Sequence, residues 1–187
     1  ETAHLTTAKN AIAGQKHVVL IGGAVTGKTT LLRQLATRVV GFGQCLYIEE
    51  VTPEKAALLA RDIDAEGQPV LAFIDNAADA SEAVQVLAQS DNIKIVAAER
   101  DYVFDSVSHR FPKDRFTVLD VSGLNAVDTQ AVQDHIPKDV NRRPYERRPD
   151  DFDMDVEPTF FEVITSTIVK NSLAERFMEA VRELKTS

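Results

Sequence analysis

The sequence predicts an α/β fold in which a five-stranded parallel sheet carries helices on both faces. Two observations point to it. Five short apolar runs recur before residue 122, separated by segments with helical spacing. A glycine-rich turn joins the first run to an amphipathic helical pattern. Strand–helix alternation of this kind implies right-handed crossovers.

The elements follow in order. Residues 2–16 are small and polar and read as a lead-in helix. The apolar runs are His17 to Ile21, Cys45 to Ile48, Val70 to Ile74, Ile93 to Ala98 and Phe116 to Val121. The first four are nearly continuous, the pattern of strands buried on both faces. The fifth is broken, as an edge strand would be. Leu31, Leu32, Leu35, Ala36, Val39 and Val40 mark one helical face, which Gly41 and Gly43 are expected to end. Thr52-Pro53-Glu54 reads as an N-cap with proline at the first helical position, ahead of Ala56, Leu59, Ala60 and Ile63. Further helices are expected over 79–89, about 101–109 and Asn125 to Ile136.

Residues 137–158 hold four of the seven prolines, with Arg142-Arg143 and Arg147-Arg148 ahead of Asp150-Asp151. This reads as a linker or long loop; its arginines suit a solvated loop first, then a phosphate, a lid partner or a nucleic acid. Phe160, Phe161, Val163, Ile164, Ile168 and Val169 form a second apolar pattern. A last helix carries Leu173, Phe177, Met178, Val181 and Leu184. The expected organisation is a nucleotide-binding domain over 1–136, a linker over 137–158 and a helical segment over 159–187.

Composition sets bounds. Apolar residues make up 44% and charged residues 27%, ordinary for a globular chain. The net charge of −8 argues against broad nucleic-acid binding. One cysteine, Cys45, permits no internal disulfide, which favours a reducing, cytoplasmic setting. No apolar stretch is long enough to cross a membrane, and no signal-peptide pattern is visible. The start at Glu1, without a methionine, points to processing or to a piece of something longer.

The chemistry concentrates in Gly22-Gly23-Ala24-Val25-Thr26-Gly27-Lys28-Thr29, followed by Thr30. It fits G-x-x-x-x-G-K-[ST], with a strand before and a helix after. Gly22 and Gly27 are expected to supply the backbone angles of a loop that wraps phosphate. Successive N–H groups and the helix N-terminus favour an anion. Lys28 places a charge against β and γ phosphates, and the Thr29 hydroxyl is a hard oxygen ligand suited to Mg2+. Asp75, at the tip of the third strand, falls on the carboxyl edge where open α/β sheets bind ligands. It would hold Mg2+ through the ion's water shell, or merely end its strand.

Glu99-Arg100-Asp101 closes the fourth strand, and Arg100 would reach a γ-phosphate or stay solvated. Glu49 and Glu50 are weaker candidates for positioning water. Asp79 suits the metal's neighbourhood or the cap of the next helix. The four histidines show no metal-ligand spacing.

GGAVTGKTT, AFIDNAADA and IVAAERD, with their intervening lengths, resemble the nucleotide-binding domain of STAND NTPases, relatives of AAA+ proteins and of NOD-like receptor cores. The resemblance covers about residues 10–136 and, more loosely, the helices to 184. It implies a P-loop three-layer sandwich with strand order 5-1-4-3-2. It implies ATP or ADP with Mg2+, held on Gly22 to Thr30, with Lys28, Asp75 and Arg100 as catalytic positions and Thr29 and Asp75 at the metal. It also implies a nucleotide-dependent homo-oligomer within a larger switch protein, partnered by other domains of its parent. Bacterial relatives often act in antiviral defence; no residue here carries that role.

One position departs from the family pattern. Where many members have a second acid after the magnesium aspartate, this chain has Asn76. An amide is no general base, so either hydrolysis is slow or another acid, such as Glu49, Glu50 or Asp79, orients the water. Two other readings stay open: a non-hydrolysing nucleotide-dependent interaction module, and a small-molecule kinase with Arg142 to Arg148 as its lid.

Overall fold

The computed structural model describes residues 2–39, 41–136 and 157–167. The arginine run at 142–148 and the last helical pattern, Leu173 to Leu184, lie outside the described residues. The chain divides into two compact units, Glu1–Ser122 and Gly123–Ser187.

The first unit is a five-stranded sheet, all parallel, in the order β2-β3-β4-β1-β5. The strands are β1 (His17–Gly22), β2 (Gln44–Ile48), β3 (Val70–Asp75), β4 (Ile93–Arg100) and β5 (Phe116–Asp120). The helices are α1 (Ala3–Ala13), α2 (Lys28–Arg38), α3 (Pro53–Glu66), α4 (Ser81–Leu87) and α5 (Asp101–Val107), the last followed by a 3-10 turn over Ser108–Arg110.

Alternation along the central strands sorts their side chains into two cores. Val18 and Leu20 of β1, Leu71 and Phe73 of β3, and Val96 and Ala98 of β4 pack with Leu5, Ala8 and Ile12 of α1 and Leu31, Leu32 and Leu35 of α2. Val19, Ala72, Ile74, Ile95 and Ala97 face the other way, onto Ala56, Ala60 and Ile63 of α3 and Val84 and Leu87 of α4. The sheet is thus the middle of three layers, and β1, β3 and β4 read as apolar because both faces are covered.

β2 differs from expectation. Its apolar run is not buried on both faces: Gln44, Cys45 and Tyr47 are exposed. The order of the sheet leaves β2 at one edge, paired only with β3. Helix α2 also ends early. Its last residue is Arg38, and Val39 is already extended, so Gly41, at φ 101°, belongs to the turn beyond it. Asp79 does not cap α4: the residue before that helix is Ala80, with no side-chain cap. Thr52 does cap α3, accepting from Lys55 N–H, and Gly67 closes it in the left-handed region.

In the second unit, α6 (Ala126–His135) starts on Asn125, whose side chain accepts from Asp128 N–H at 2.8 Å. Helix α7 (Phe160–Thr167) starts on a reciprocal pair. Thr159 Oγ1 accepts from Glu162 N–H at 3.2 Å, and Glu162 Oε2 accepts from Thr159 N–H at 2.6 Å. Leu124 N–H donates to Pro158 O at 2.8 Å, joining the segments that lead into the two helices.

Candidate functional site

The glycine-rich loop leaves the carboxyl end of β1 and enters α2 at Lys28. Its two motif glycines are needed for different reasons. Gly27 has φ 90°, the left-handed region where a side chain is strained. Gly22 has no positive φ, so the angle expected of it is not what it supplies. It supplies space: a Cβ there would lie 3.0 Å from Thr26 Oγ1, 3.2 Å from Ser122 Oγ and 3.3 Å from Ser122 N. The second left-handed residue of the loop is Val25, at φ 62° and exposed at its tip. A β-branched residue is disfavoured there, so this tip is locally strained.

Among the described residues, the backbone N–H groups of Ala24, Val25 and Gly27 find no acceptor. They precede the helix end where partial positive charge gathers, so the loop is a ready cradle for an anion. Lys28 lies across it. Its Nζ donates to Gly22 O at 2.8 Å, Gly23 O at 2.6 Å and Thr26 Oγ1 at 3.3 Å. Lys28 is half-buried rather than freely exposed. Burial pulls its pKa below the ordinary lysine value; the charges of Asp101 and Asp75 oppose this, Arg100 adds to it, and Glu99 opposes it. Ala24, Val25 and Thr30 are exposed, and Gly23 and Thr29 half-buried.

Strand register brings the remaining positions to the same edge. Gly22 of β1 lies opposite Arg100 of β4, and Asp75 of β3 lies opposite Ala98. Across this edge the Thr29 hydroxyl donates to Asp75 Oδ2 at 2.6 Å. Asp75 Oδ1 accepts from Asn76 N–H at 3.1 Å. The chain then turns through Asn76 at φ 53°. Asparagine is among the residues that tolerate this region best, which gives Asn76 a structural reason to be there.

Arg100 stands at this edge, but its guanidinium is exposed and donates to the Tyr102 hydroxyl at 2.9 Å. Glu49 and Glu50 lie beyond β2, exposed, as is Asp79. Sequence reasoning gave no role to Glu99, which is 4% exposed. It accepts from Ala78 N–H at 2.8 Å and Arg100 N–H at 2.7 Å. The one sequence signal was an acid just inside the end of a largely apolar strand. Among the described residues, no three His, Cys, Asp or Glu side chains gather as a metal cluster. No helix there is long and apolar enough to cross a membrane.

Comparison with known proteins agrees with this fold. A closed-state cryo-EM reconstruction of Hsp104 with ATPγS and FITC casein is similar at a TM-score of 0.54 and 16% identity, covering 70% of this chain and 29% of that one. The S. cerevisiae Hsp104–ADP complex is similar at 0.54 and 17% identity, covering 70% and 28%. At such identities the likeness is one of fold, and this chain spans less than a third of those neighbours' length. No curated protein matches the chain. The profile of the family described as Novel STAND NTPase 5 matches residues 2–111, more than half of the sequence. The chain therefore belongs to the Novel STAND NTPase 5 family, and the sheet with its glycine-rich loop is a nucleotide-binding module of that family.

Proposed function

We propose that this chain is the ATP-binding, slowly hydrolysing switch module of a larger STAND-type signalling or defence protein. The observation that carries the reading is the meeting of three side chains at one sheet edge. Lys28 lies across the loop, and the Thr29 hydroxyl bonds Asp75 at 2.6 Å.

Each group has a task. The free N–H groups of Ala24, Val25 and Gly27 bind phosphate oxygens. Lys28 sets its charge against the β and γ phosphates. Thr29 Oγ1 and Asp75 Oδ2 are two hard oxygens side by side, which suits a Mg2+ ion that keeps most of its waters. Held by those two residues, Mg2+ would supply positive charge to offset that of the phosphates. Arg100 reads the γ-phosphate once its guanidinium leaves Tyr102. Asn76 offers only an amide, so no base follows Asp75 to activate water, and turnover is slow. ATP then favours an assembled state of the parent protein and ADP a closed one, through their different affinities for the two states.

Phosphate release from ATP with Mg2+ tests this. Slow release is expected from the wild type, with loss of release in Asp75→Ala. Arg100→Ala is expected to weaken binding of a non-hydrolysable ATP analogue roughly 10- to 100-fold and to leave ADP nearly unchanged. Tight ATP binding with no release would replace the ATPase by the non-hydrolysing module. Release only in the presence of a small acceptor would make the chain a kinase.

A further inference from the structure

The backbone ladder between β3 and β4 does not stop where β3 ends. Asp75 is the last residue of β3, and Asn76 turns left-handed after it. The chain then returns to β4, where Ala77 N–H donates to Ala98 O at 3.0 Å. The next donor along, Ala78 N–H, meets a side chain instead of a carbonyl, because Glu99 Oε2 accepts it at 2.8 Å. The second oxygen, Oε1, accepts from Arg100 N–H at 2.7 Å. One carboxylate thus joins the loop that follows Asp75 to the backbone of Arg100.

Glu99 is 4% exposed. Among the described residues, no lysine, arginine or histidine lies within ion-pair distance of it. The charges of Lys28 and Arg100 act on Glu99 only from beyond ion-pair distance. A buried charge with no close ion pair is costly unless hydrogen bonds satisfy it, as two backbone N–H groups do here. Packing alone gives no reason for a carboxylate at this place. What it does, and an apolar residue could not, is accept at once from the loop after β3 and from the last residue of β4.

We propose that Glu99 is a positioning residue that fixes the Asp75–Ala78 loop against the strand tip bearing Arg100. The metal-side carboxylate and the phosphate-reading arginine are thereby held at a set separation. This rests on the nucleotide reading above and assigns the part that keeps its two γ-phosphate contacts in register. Glu99 itself touches no phosphate in this scheme.

Glu99→Gln is the sharpest change, since it keeps shape and volume. An amide has one oxygen to accept with and turns an NH2 towards the other N–H, so one of the two bonds must break. Glu99→Asp keeps the charge but draws it back by one methylene, out of easy reach of Ala78. Titrating the chain with a non-hydrolysable ATP analogue and with ADP, both with Mg2+, is the test, at a temperature where each variant is folded. In Glu99→Gln, analogue affinity is expected to fall about tenfold, with ADP affinity changed less than about threefold. Glu99→Asp is expected to move the same way by a smaller factor, and it serves if the glutamine variant does not fold. The effect should shrink in an Arg100→Ala background, because the brace then has less to position.

Equal losses for the two nucleotides, or a lower melting temperature with an unchanged affinity ratio, would make Glu99 merely structural and overturn the proposal. So would full additivity with Arg100→Ala. Lys28→Ala separates this failure from that of the nucleotide reading. If wild type binds and Lys28→Ala does not, an unchanged ratio in the Glu99 variants defeats only the brace. If wild type binds neither nucleotide, both fall together.

Discussion

Replacing Gly22 by alanine isolates what the first glycine of the loop does. The added Cβ would stand 3.0 Å from Thr26 Oγ1, 3.2 Å from Ser122 Oγ and 3.3 Å from Ser122 N. Neither neighbour yields freely. Thr26 Oγ1 donates to Gly23 O at 3.2 Å and accepts from Lys28 Nζ at 3.3 Å. Ser122 N–H donates to Asp120 Oδ1 at 2.8 Å. Overpacking of this kind costs about 1–3 kcal/mol. For a chain of this length that is a fall of roughly 2–12 °C in melting temperature. Removing Thr26 Oγ1 should relieve much of it, so Gly22→Ala with Thr26→Ala should be more stable than the two single losses sum to. A coupling of about 0.5–3 kcal/mol is the expected range. Urea denaturation of wild type, both single variants and the double variant measures it. Strict additivity, or a neutral Gly22→Ala, would refute the steric account.

Two further predictions follow from the same structure. Val25→Gly exchanges a β-branched residue at φ 62° for one without a left-handed penalty of about 1–2 kcal/mol. That gain is offset by roughly 0.4–1 kcal/mol of unfolded-chain entropy, so stability should hold or rise slightly in urea denaturation, and a loss above about 1 kcal/mol would deny the strain. His17 has its pKa lowered, chiefly by burial and further by the charges of Lys94 and Arg115, against a bond to the Ala88 backbone that raises it. Its Nδ1 accepts from Ile95 N–H at 3.2 Å, which requires that nitrogen unprotonated. The unfolded chain therefore takes up the proton first, and stability present above about pH 6.5 is lost as pH falls below it. Melting temperatures against pH should fall less steeply in His17→Gln over that range; parallel curves would remove His17 from the account.

How much of this was legible in the sequence depended on burial. β1, β3 and β4 announced themselves because both of their faces are covered, so nearly every inner position is apolar, with Lys94 and Glu99 of β4 the exceptions. Cys45 to Ile48 carries the same signature on an edge strand, since apolar content does not reveal which strand lacks a neighbour. The loop motif was legible because its glycines, lysine and threonine are local in sequence. The reason for Gly22 was not, because Ser122 reaches it only through the pairing of β1 with β5. Asn76 read as a missing acid, and its left-handed backbone gives a second reason for asparagine. Glu99 was passed over because its partners, Ala78 and Arg100, meet only after β3 and β4 align.

The measurement that tests the central claim most directly is calorimetric titration of the chain with ATP and with ADP, each with Mg2+, on wild type and on Lys28→Ala. Among the described residues, Lys28 Nζ bonds only the loop's own Gly22, Gly23 and Thr26, so its loss should empty the cradle of charge and leave both cores intact. The account predicts saturable binding of both nucleotides by wild type and none by Lys28→Ala. The melting temperature of the variant without nucleotide should stay close to that of wild type. Wild type at 100 times its dissociation constant should gain about 2.7 kcal/mol of stability that the variant does not. Equal heats and affinities in the two proteins, or no binding by a folded wild type, would contradict it.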